Sequence, residues 1–345
     1  MYNKDQTPWA VRAEADGTVS VVEAAIPAIG PGEALMRTRA AGICGSDLLG
    51  WYVRRKAGHV LGHEVAGELV EVGAGVTDFA AGDRVVPHHH APCLTCGECR
   101  AGRFVHCAAW KSSGLDPGGM ARFVRIPAGN LARDTWKVPP SVSDEEASFT
   151  EPLATVVKAF RRGRFEAGQS LLAVGLGQMG QLAVRLARAL GASDVAGADR
   201  IPFRIERARE SGAETFDVDS ETLGAGARRL SRGRGFDFAF VGPGSSGVIA
   251  AAAEAVAPGG TLLLFTMPPP EETLGISGHD LYFREVSLVP SYSCGPDDTR
   301  RALDLLSSGQ VRVEDLVTHR FPIERAPEAF AAAKDPRSLK VMITF

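Results

Sequence analysis

The chain has 345 residues, 45% of them hydrophobic and 23% charged, with 39 glycines and a formal net charge of −3. That length sets an expectation of about two domains, and the composition is that of an ordinary globular protein, not a fibrous, disordered or membrane one. The slightly acidic balance gives no electrostatic reason for nucleic acid or an anionic membrane as partner, so a small molecule is expected.

The opening segment "MYNKDQTPWA" lacks an apolar stretch after its charged residues, and no run of 18 apolar residues occurs anywhere. Neither export nor a membrane span is therefore expected, and the cytoplasm is the default compartment. In that reducing environment, clustered cysteines point to metal ligands before disulfides. The first part of the chain, rich in valine, glycine and turn residues, reads as a β-rich domain. It holds "AAGICGSD" at residues 40–47 and "VLGHEVAGELVEVGAGV" at 60–76, which carry Cys44 and His63. A sulfur and a nitrogen donor, an acidic third member and one vacant position are what a catalytic zinc requires. The acidic member is either Glu64, beside His63, or Glu151 in "SFTEPLATV". Taken singly, Cys44 reads equally as a small buried hydrophobe, His63 as a core imidazole and Glu151 as an acid at a helix N-terminus.

Between these donors lies "WYVRRKAGH", with Trp51, Tyr52, Arg54, Arg55 and Lys56. The aromatics suit an apolar pocket wall; the cations suit an acidic substrate, or, as preferred, a solvated face. "HHH" at residues 88–90 is expected to be solvated or packed in a loop. Successive residues of an extended segment alternate faces, so three consecutive histidines cannot converge on one ion. "CLTCGECRAGRFVHC" follows at 93–107, with the spacing Cys-x2-Cys-x2-Cys-x7-Cys. Four soft sulfur donors, Cys93, Cys96, Cys99 and Cys107, suit a closed tetrahedral zinc that staples a lobe and leaves no position for substrate. Gly97 and Gly102 are expected to supply the sharp turns. A zinc-ribbon nucleic-acid module would use similar spacing but wants a basic, aromatic-interleaved surface.

Residues 171–200, "LLAVGLGQMGQLAVRLARALGASDVAGADR", combine a short apolar strand, a glycine turn and a helix of apolar periodicity. Here G-x-G-x-x-G stands in the context that lets a pyrophosphate approach backbone donors at a helix N-terminus. Cofactor contacts are placed on Gly175, Gly177, Gln178, Met179, Gly180, Asp199, Arg200 and Arg204. Asp199, nineteen residues after Gly180, suits the ribose hydroxyls and would repel a 2′-phosphate, favouring NAD over NADP, although the adjacent Arg200 could accommodate that phosphate. Further strands are expected at "ETFDVD", "FDFAFV", "TLLLFT" and "VSLVP", with helices at "PFRIERARESG" and "SGVIAAAAEAV", giving a six-stranded parallel sheet. Pro202 suits a first helical turn, and Pro258 with Gly259 and Gly260 is expected to end a helix.

"GICGSD", "GHEVAGELVEVGAGV", "GDRVVP", the four-cysteine loop, "EPLA" and "VGLGQMG" stand in the order that resembles zinc-dependent medium-chain dehydrogenases of the alcohol, polyol and threonine dehydrogenase group, across essentially the whole chain. The resemblance implies a GroES-like catalytic domain at 1–153 and 291–345 around a Rossmann domain at 154–290. It implies two zinc ions per chain. The catalytic one sits on Cys44 and His63, with Glu151 as a ligand or one water away and Glu64 as the competing ligand. Ser46 is similar to the family hydroxyl that bonds the zinc-bound substrate oxygen, and Asp47 to the carboxylate that orients the zinc histidine. Glu64 completes this catalytic set. A departure stands at Leu49, where many members carry a relay histidine; His59 or ordered water would have to substitute. "SYSC" at 291–294 resembles the strand end that meets nicotinamide and substrate, with Cys294 a buried thiol.

The expected function is hydride transfer between NAD, held in an interdomain cleft, and a secondary alcohol, polyol, aminopolyol or hydroxy amino acid and its ketone, in a homodimer or homotetramer. The alternative, motivated by Leu49, is a non-catalytic regulatory protein that keeps the zinc and dinucleotide sites.

Overall fold

Short valine-rich strands separated by glycine turns pair with near neighbours in sequence, which gives antiparallel ladders, whereas strands alternating with helices give parallel ones. Both regimes occur in the computed structural model, which describes residues 7–345. Most of the segment behind the export expectation, residues 1–6, lies outside the described residues. Among the described residues, no helix is long and apolar enough to cross a membrane.

The chain divides into two units, one of residues up to Ala154 together with Cys294–Phe345, the other Thr155–Ser293. These limits fall one and three residues beyond those expected from sequence. Residues 291–293 stay with the second unit because their backbone is held there: the Ser291 amide donates to the Leu264 carbonyl at 3.1 Å, and Lys158 Nζ donates to the Tyr292 carbonyl at 2.6 Å.

In the first unit, strand Ala34–Gly42 is central. It pairs antiparallel with Glu64–Val72 on one side, and on the other with Phe123–Ile126 and the C-terminal strand Lys340–Thr344. Arg84–Pro87 and Thr135–Lys137 extend the sheet beyond Glu64–Val72, and Val317–Pro322 flanks the C-terminal strand. The core beneath it gathers Val11, Met36, Val65, Leu69, Met120, Val124 and Ile343, all buried.

The second unit is a six-stranded parallel sheet in the order Glu214–Asp217, Val195–Asp199, Leu171–Val174, Phe236–Val241, Val256–Leu264, Ser287–Pro290. The order reverses direction at Leu171–Val174, the switch point at which doubly wound sheets bind ligands beyond their strand ends. Leu171–Val174 is buried throughout, as a strand covered on both faces must be. Pro202 does open the helix Pro202–Glu210. Pro258, Gly259 and Gly260 do not end a helix: Ser246–Ala255 stops earlier and the strand has already begun. The three residues instead loop out of the ladder, since Phe236 pairs with Val256 but Phe238 with Thr261. A proline cannot donate to the ladder, so the strand accommodates it as a bulge.

Candidate functional site

The antiparallel register assembles the first cluster. Gly42 lies opposite Glu64, so Cys44, just past the end of one strand, is carried beside His63, just before the start of the other. The C-terminal strand pairs Met342 with Gly42 from the other side, which brings Lys340 to the same end. Donor atoms of Cys44, His63 and Glu64 all lie within 4.8 Å of one another. Glu151 arrives from the first turn of helix Thr150–Arg162 and groups with His88 and His89 instead. The structure thus separates the two glutamates that the sequence left as alternatives, Glu64 adjoining the Cys44–His63 pair and Glu151 standing alongside.

Charge is concentrated here. Glu64, Asp47 and Glu151 are 1%, 2% and 8% exposed, against one buried fixed cation, Lys340. Lys340 Nζ pairs with Glu64 and donates to the Ile43 carbonyl at 3.1 Å. Burial pushes the Asp47 and Glu151 carboxyls above the ordinary carboxylate range, with the Glu64 charge adding to the effect. Burial works against protonation of His63, yet the Cys44 sulfur, hydrogen-bonded to it, and the charges of Asp47 and Glu151 raise its proton affinity well above the ordinary imidazole value. A cluster of thiol and carboxylates that draws a proton onto its own imidazole lacks positive charge. A divalent ion on a sulfur, a nitrogen and an oxygen would supply it, so the donor set fits zinc.

Asp47 accepts a hydrogen bond from the Cys44 amide at 3.3 Å and so braces the ligand-bearing turn; it acts on His63 through charge. Ser46 is half-buried in the turn Gly45–Leu48, and Leu49 is exposed. His59 is an exposed loop residue whose carbonyl accepts from the Ala13 amide. Arg54, Arg55 and Lys56 are also exposed, with Lys56 Nζ 5.8 Å from the Tyr52 ring centroid. Lys340 escaped notice in the sequence, although a lysine opening the apolar strand "KVMIT" is the kind of buried polar residue that signals a partner.

The second cluster is the four-cysteine loop. Its four sulfurs lie within 4.8 Å of one another, and none of the six cysteines is disulfide-bonded. The Thr95 hydroxyl and amide, with the Cys96 amide, hold the Cys93 thiol down at about 5, while burial and the neighbouring thiols push Cys99 up to about 12. Four thiolates at this spacing need a cation, and four sulfurs close its coordination. Of the two expected turn glycines only Gly102 has a positive φ, 68°, and the other left-handed residue is Leu94 at 63°. Gly97 begins the short helix Gly97–Arg100 instead.

Residues 88–90 are packed in a loop, one of the two expected outcomes, and only His88 and His89 group together. The strand stops at Pro87 and the chain bends at His89, so strict alternation of faces no longer applies and two of the three rings turn inward together. His88 is 3% exposed, neither solvated nor free: Nδ1 bonds Asp134 Oδ2 at 2.8 Å. Asp134 is also bonded by the Thr299 hydroxyl. Cys294 is buried, as expected, with Sγ 3.5 Å from His88 Nε2.

In the second unit the glycine turn has the form a dinucleotide needs. Gly175 has φ +83°, and a Cβ on Gly180 would collide with the Gly175 carbonyl oxygen. Helix Gln178–Ala189 starts at Gly177 with no side-chain cap, leaving amide donors for an anion. Gln178 Nε2 is buried without a hydrogen-bond partner, and Met179 is half-buried beside it. Asp199 Oδ2 accepts from the Leu176 amide at 2.6 Å and Oδ1 from the amides of Arg200 and Ile201 at 2.7 and 2.9 Å. The carboxylate thereby ties the turn to the neighbouring strand end, and a lone pair remains for a ribose hydroxyl. Arg200 is exposed. The Arg204 guanidinium stands 3.7 Å from where a Gly177 Cβ would be.

Residues 30–139 match the alcohol dehydrogenase GroES-like domain, and residues 179–308 match the zinc-binding dehydrogenase domain. The chain is 33% identical to sorbitol dehydrogenase of Gallus gallus over 92% of its own length and 91% of the relative's. It is 31% identical to L-threonine 3-dehydrogenase of Bacillus velezensis, over 93% and 94%. Among solved structures, a zinc-binding dehydrogenase from Sinorhizobium meliloti bound to NADP superposes with a TM-score of 0.89 at 27% identity, covering 98% of this chain and 99% of the other.

Proposed function

Since the chain belongs to the zinc-dependent medium-chain dehydrogenase family and is an oxidoreductase by its relatives, we propose that it interconverts a secondary alcohol, polyol, aminopolyol or hydroxy amino acid and its ketone, using NAD. The observation that carries this reading is the convergence of the half-buried Cys44 and His63 with the buried Glu64. These three would hold the catalytic zinc, with Glu151 beside them, and Cys93, Cys96, Cys99 and Cys107 would hold a structural one.

When bound, the catalytic ion supplies Lewis acidity that makes an alkoxide accessible near neutral pH. The chain's own residues do the rest. Asp47 fixes the turn that carries Cys44, and Lys340 holds the Glu64 carboxylate in place. The Ser46 hydroxyl takes the substrate proton, which leaves through water because the relay position, Leu49, is exposed and carries no base. Asp199 and the uncapped helix at Gly177 hold the adenosine ribose and the pyrophosphate. NAD is favoured because Asp199 would face a 2′-phosphate with like charge.

In the cytoplasm, where we place the protein, all of its thiols stay available as ligands. We assign a homodimer or homotetramer to the unpaired edge of strand Ser287–Pro290, near which Tyr282, Phe283 and Leu288 are exposed; a monomer in sedimentation at micromolar concentration would refute that assignment.

The decisive experiment is Cys44→Ser, assayed on a panel of polyols, cyclitols and amino alcohols with NAD and NADP. Loss of a Lewis acid worth several kcal/mol lowers kcat/KM by about 100-fold or more, with one zinc lost per chain. Undiminished turnover in the variant would argue against zinc-assisted chemistry, and a wild type inert towards every alcohol would favour the regulatory alternative, which Leu49 supports.

A further inference from the structure

His88 is held as a metal-binding histidine is held. Its Nδ1 bonds the buried Asp134 carboxylate at 2.8 Å, its amide donates to the Asp134 carbonyl at 2.8 Å, and its carbonyl accepts from Asn130 Nδ2 at 3.0 Å. Nδ1 therefore carries the proton donated to the carboxylate, and the Nε2 lone pair, which meets only the weak thiol donor of Cys294 at 3.5 Å, can act as a ligand once that thiol turns aside. His89 sits at the bend with its ring 4.7 Å from that of His88 and 5.0 Å from that of His63. Its Nδ1 is buried and has no hydrogen-bond partner. A buried polar atom left unmatched costs on the order of 1–3 kcal/mol, so its retention needs an explanation. Glu151, 8% exposed, faces both rings: one donor atom from each of His88, His89 and Glu151 lies within 4.8 Å of the others.

We propose that His88, His89 and Glu151 form a further site for a divalent transition-metal ion, beside the Cys44–His63–Glu64 cluster and apart from the four-cysteine loop. Two imidazoles and one carboxylate suit zinc, cobalt, iron or manganese and leave positions open. Bonds of about 2.0–2.1 Å put tetrahedral donors about 3.4 Å apart, so His89 and Glu151 close in on the ion by roughly an ångström while Asp134 keeps His88 still. An ion here keeps Glu151 ionised and draws it away from direct ligation at Cys44. The assignment stands on this cluster alone and does not require the dehydrogenase reading.

The test uses the full chain, stripped by chelator, reloaded with Co(II) or Zn(II), desalted and analysed for metal content together with the cobalt absorption spectrum. Wild type is expected to retain about one ion per chain beyond those of the two cysteine-bearing sites. His89→Ala loses that ion and leaves the thiolate–cobalt charge-transfer absorption unchanged, because only the cysteine-bearing sites give that band. Its ring is half-buried and its Nδ1 unpartnered, so the fold tolerates the change; Glu151→Gln is the second variant and loses the same ion. Cys44→Ser loses part of the band and a different ion, so failure of the proposed function is read separately. Wild type saturating with only the two cysteine-site ions, or an unchanged ion count in both His89→Ala and Glu151→Gln, would overturn the assignment.

Discussion

The four-cysteine loop and the Cys44–His63–Glu64 cluster belong to the same unit, yet the chain builds them by opposite routes. The loop takes all four donors from residues 93–107 and needs only local turns to bring them together. The mixed cluster takes its donors from two strand ends aligned by the register of Gly42 with Glu64, and completes its charge with Lys340, 276 residues from Glu64. A locally built site with uniform soft donors closes around its ion and is inert. A site assembled by a sheet can mix donor types, leave a position vacant and be tuned by distant charges, as chemistry requires. If this contrast is right, damage to the loop appears as lost stability, and damage to the mixed cluster as altered charge balance.

Cys93→Ser tests the first half and has the largest expected effect on the fold. Losing a structural metal falls among the mutational mechanisms that cost about 4–5 kcal/mol or more, which at roughly 2–4 °C per kcal/mol lowers the melting temperature by about 10 °C or more. Differential scanning calorimetry with zinc analysis checks it. A variant that loses the ion and still melts like wild type would show that the loop does not staple the lobe.

Lys340→Met tests the second half. Removing the buried cation of this cluster leaves Glu64 with uncompensated charge, and breaking such a pair costs about 3–5 kcal/mol. In chelator-treated protein, denaturant unfolding should show that loss, and Lys340→Met combined with Glu64→Gln should recover most of it, because the double variant leaves no orphaned charge. Equal destabilisation in the single and double variants would mean that Lys340 acts by packing.

The same contrast explains what the sequence disclosed. The glycine turn, the cysteine loop and the six-stranded parallel sheet were legible because each rests on contiguous motifs or on the alternation of strand and helix. The pairing of Cys44 with His63 was legible through their motifs. The choice between Glu64 and Glu151 was not, since register and a helix start, not spacing, decide which carboxylate adjoins the pair. Lys340 and the His88–Asp134–Thr299 chain were missed for the same reason: their partners are remote in sequence. At residues 88–90 the three histidines do not converge, but His88 and His89 group with Glu151 because the strand ends at Pro87, and at Pro258–Gly260 the breaker residues acted on a strand that had already begun.

The smallest effect, and the sharpest on the contrast, is in pH. In chelator-treated protein the Cys93 thiol, held at about 5, lies below its unfolded value of about 8.5, so its stabilisation is full above the unfolded value and is lost as pH falls towards 5. His63 is shifted the other way, raised by Cys44, Asp47 and Glu151 against the opposing effect of burial. Its stabilisation is full below the unfolded value of about 6.5 and is lost as pH rises through the folded value. Asp47, raised by burial, follows the direction of His63. From about pH 6 to about pH 8, the two clusters should therefore respond oppositely. Hydrogen exchange reads this locally: protection of the Cys96 amide, which donates to Cys93 Sγ at 3.3 Å, should rise, and protection of the Cys44 amide, which donates to Asp47, should fall. Reloading zinc should flatten both trends, because a metal on the thiolates and the imidazole displaces the protons that cause them. Parallel movement of the two amides in the stripped protein would mean that the clusters share one electrostatic regime and that the contrast drawn from their assembly is wrong.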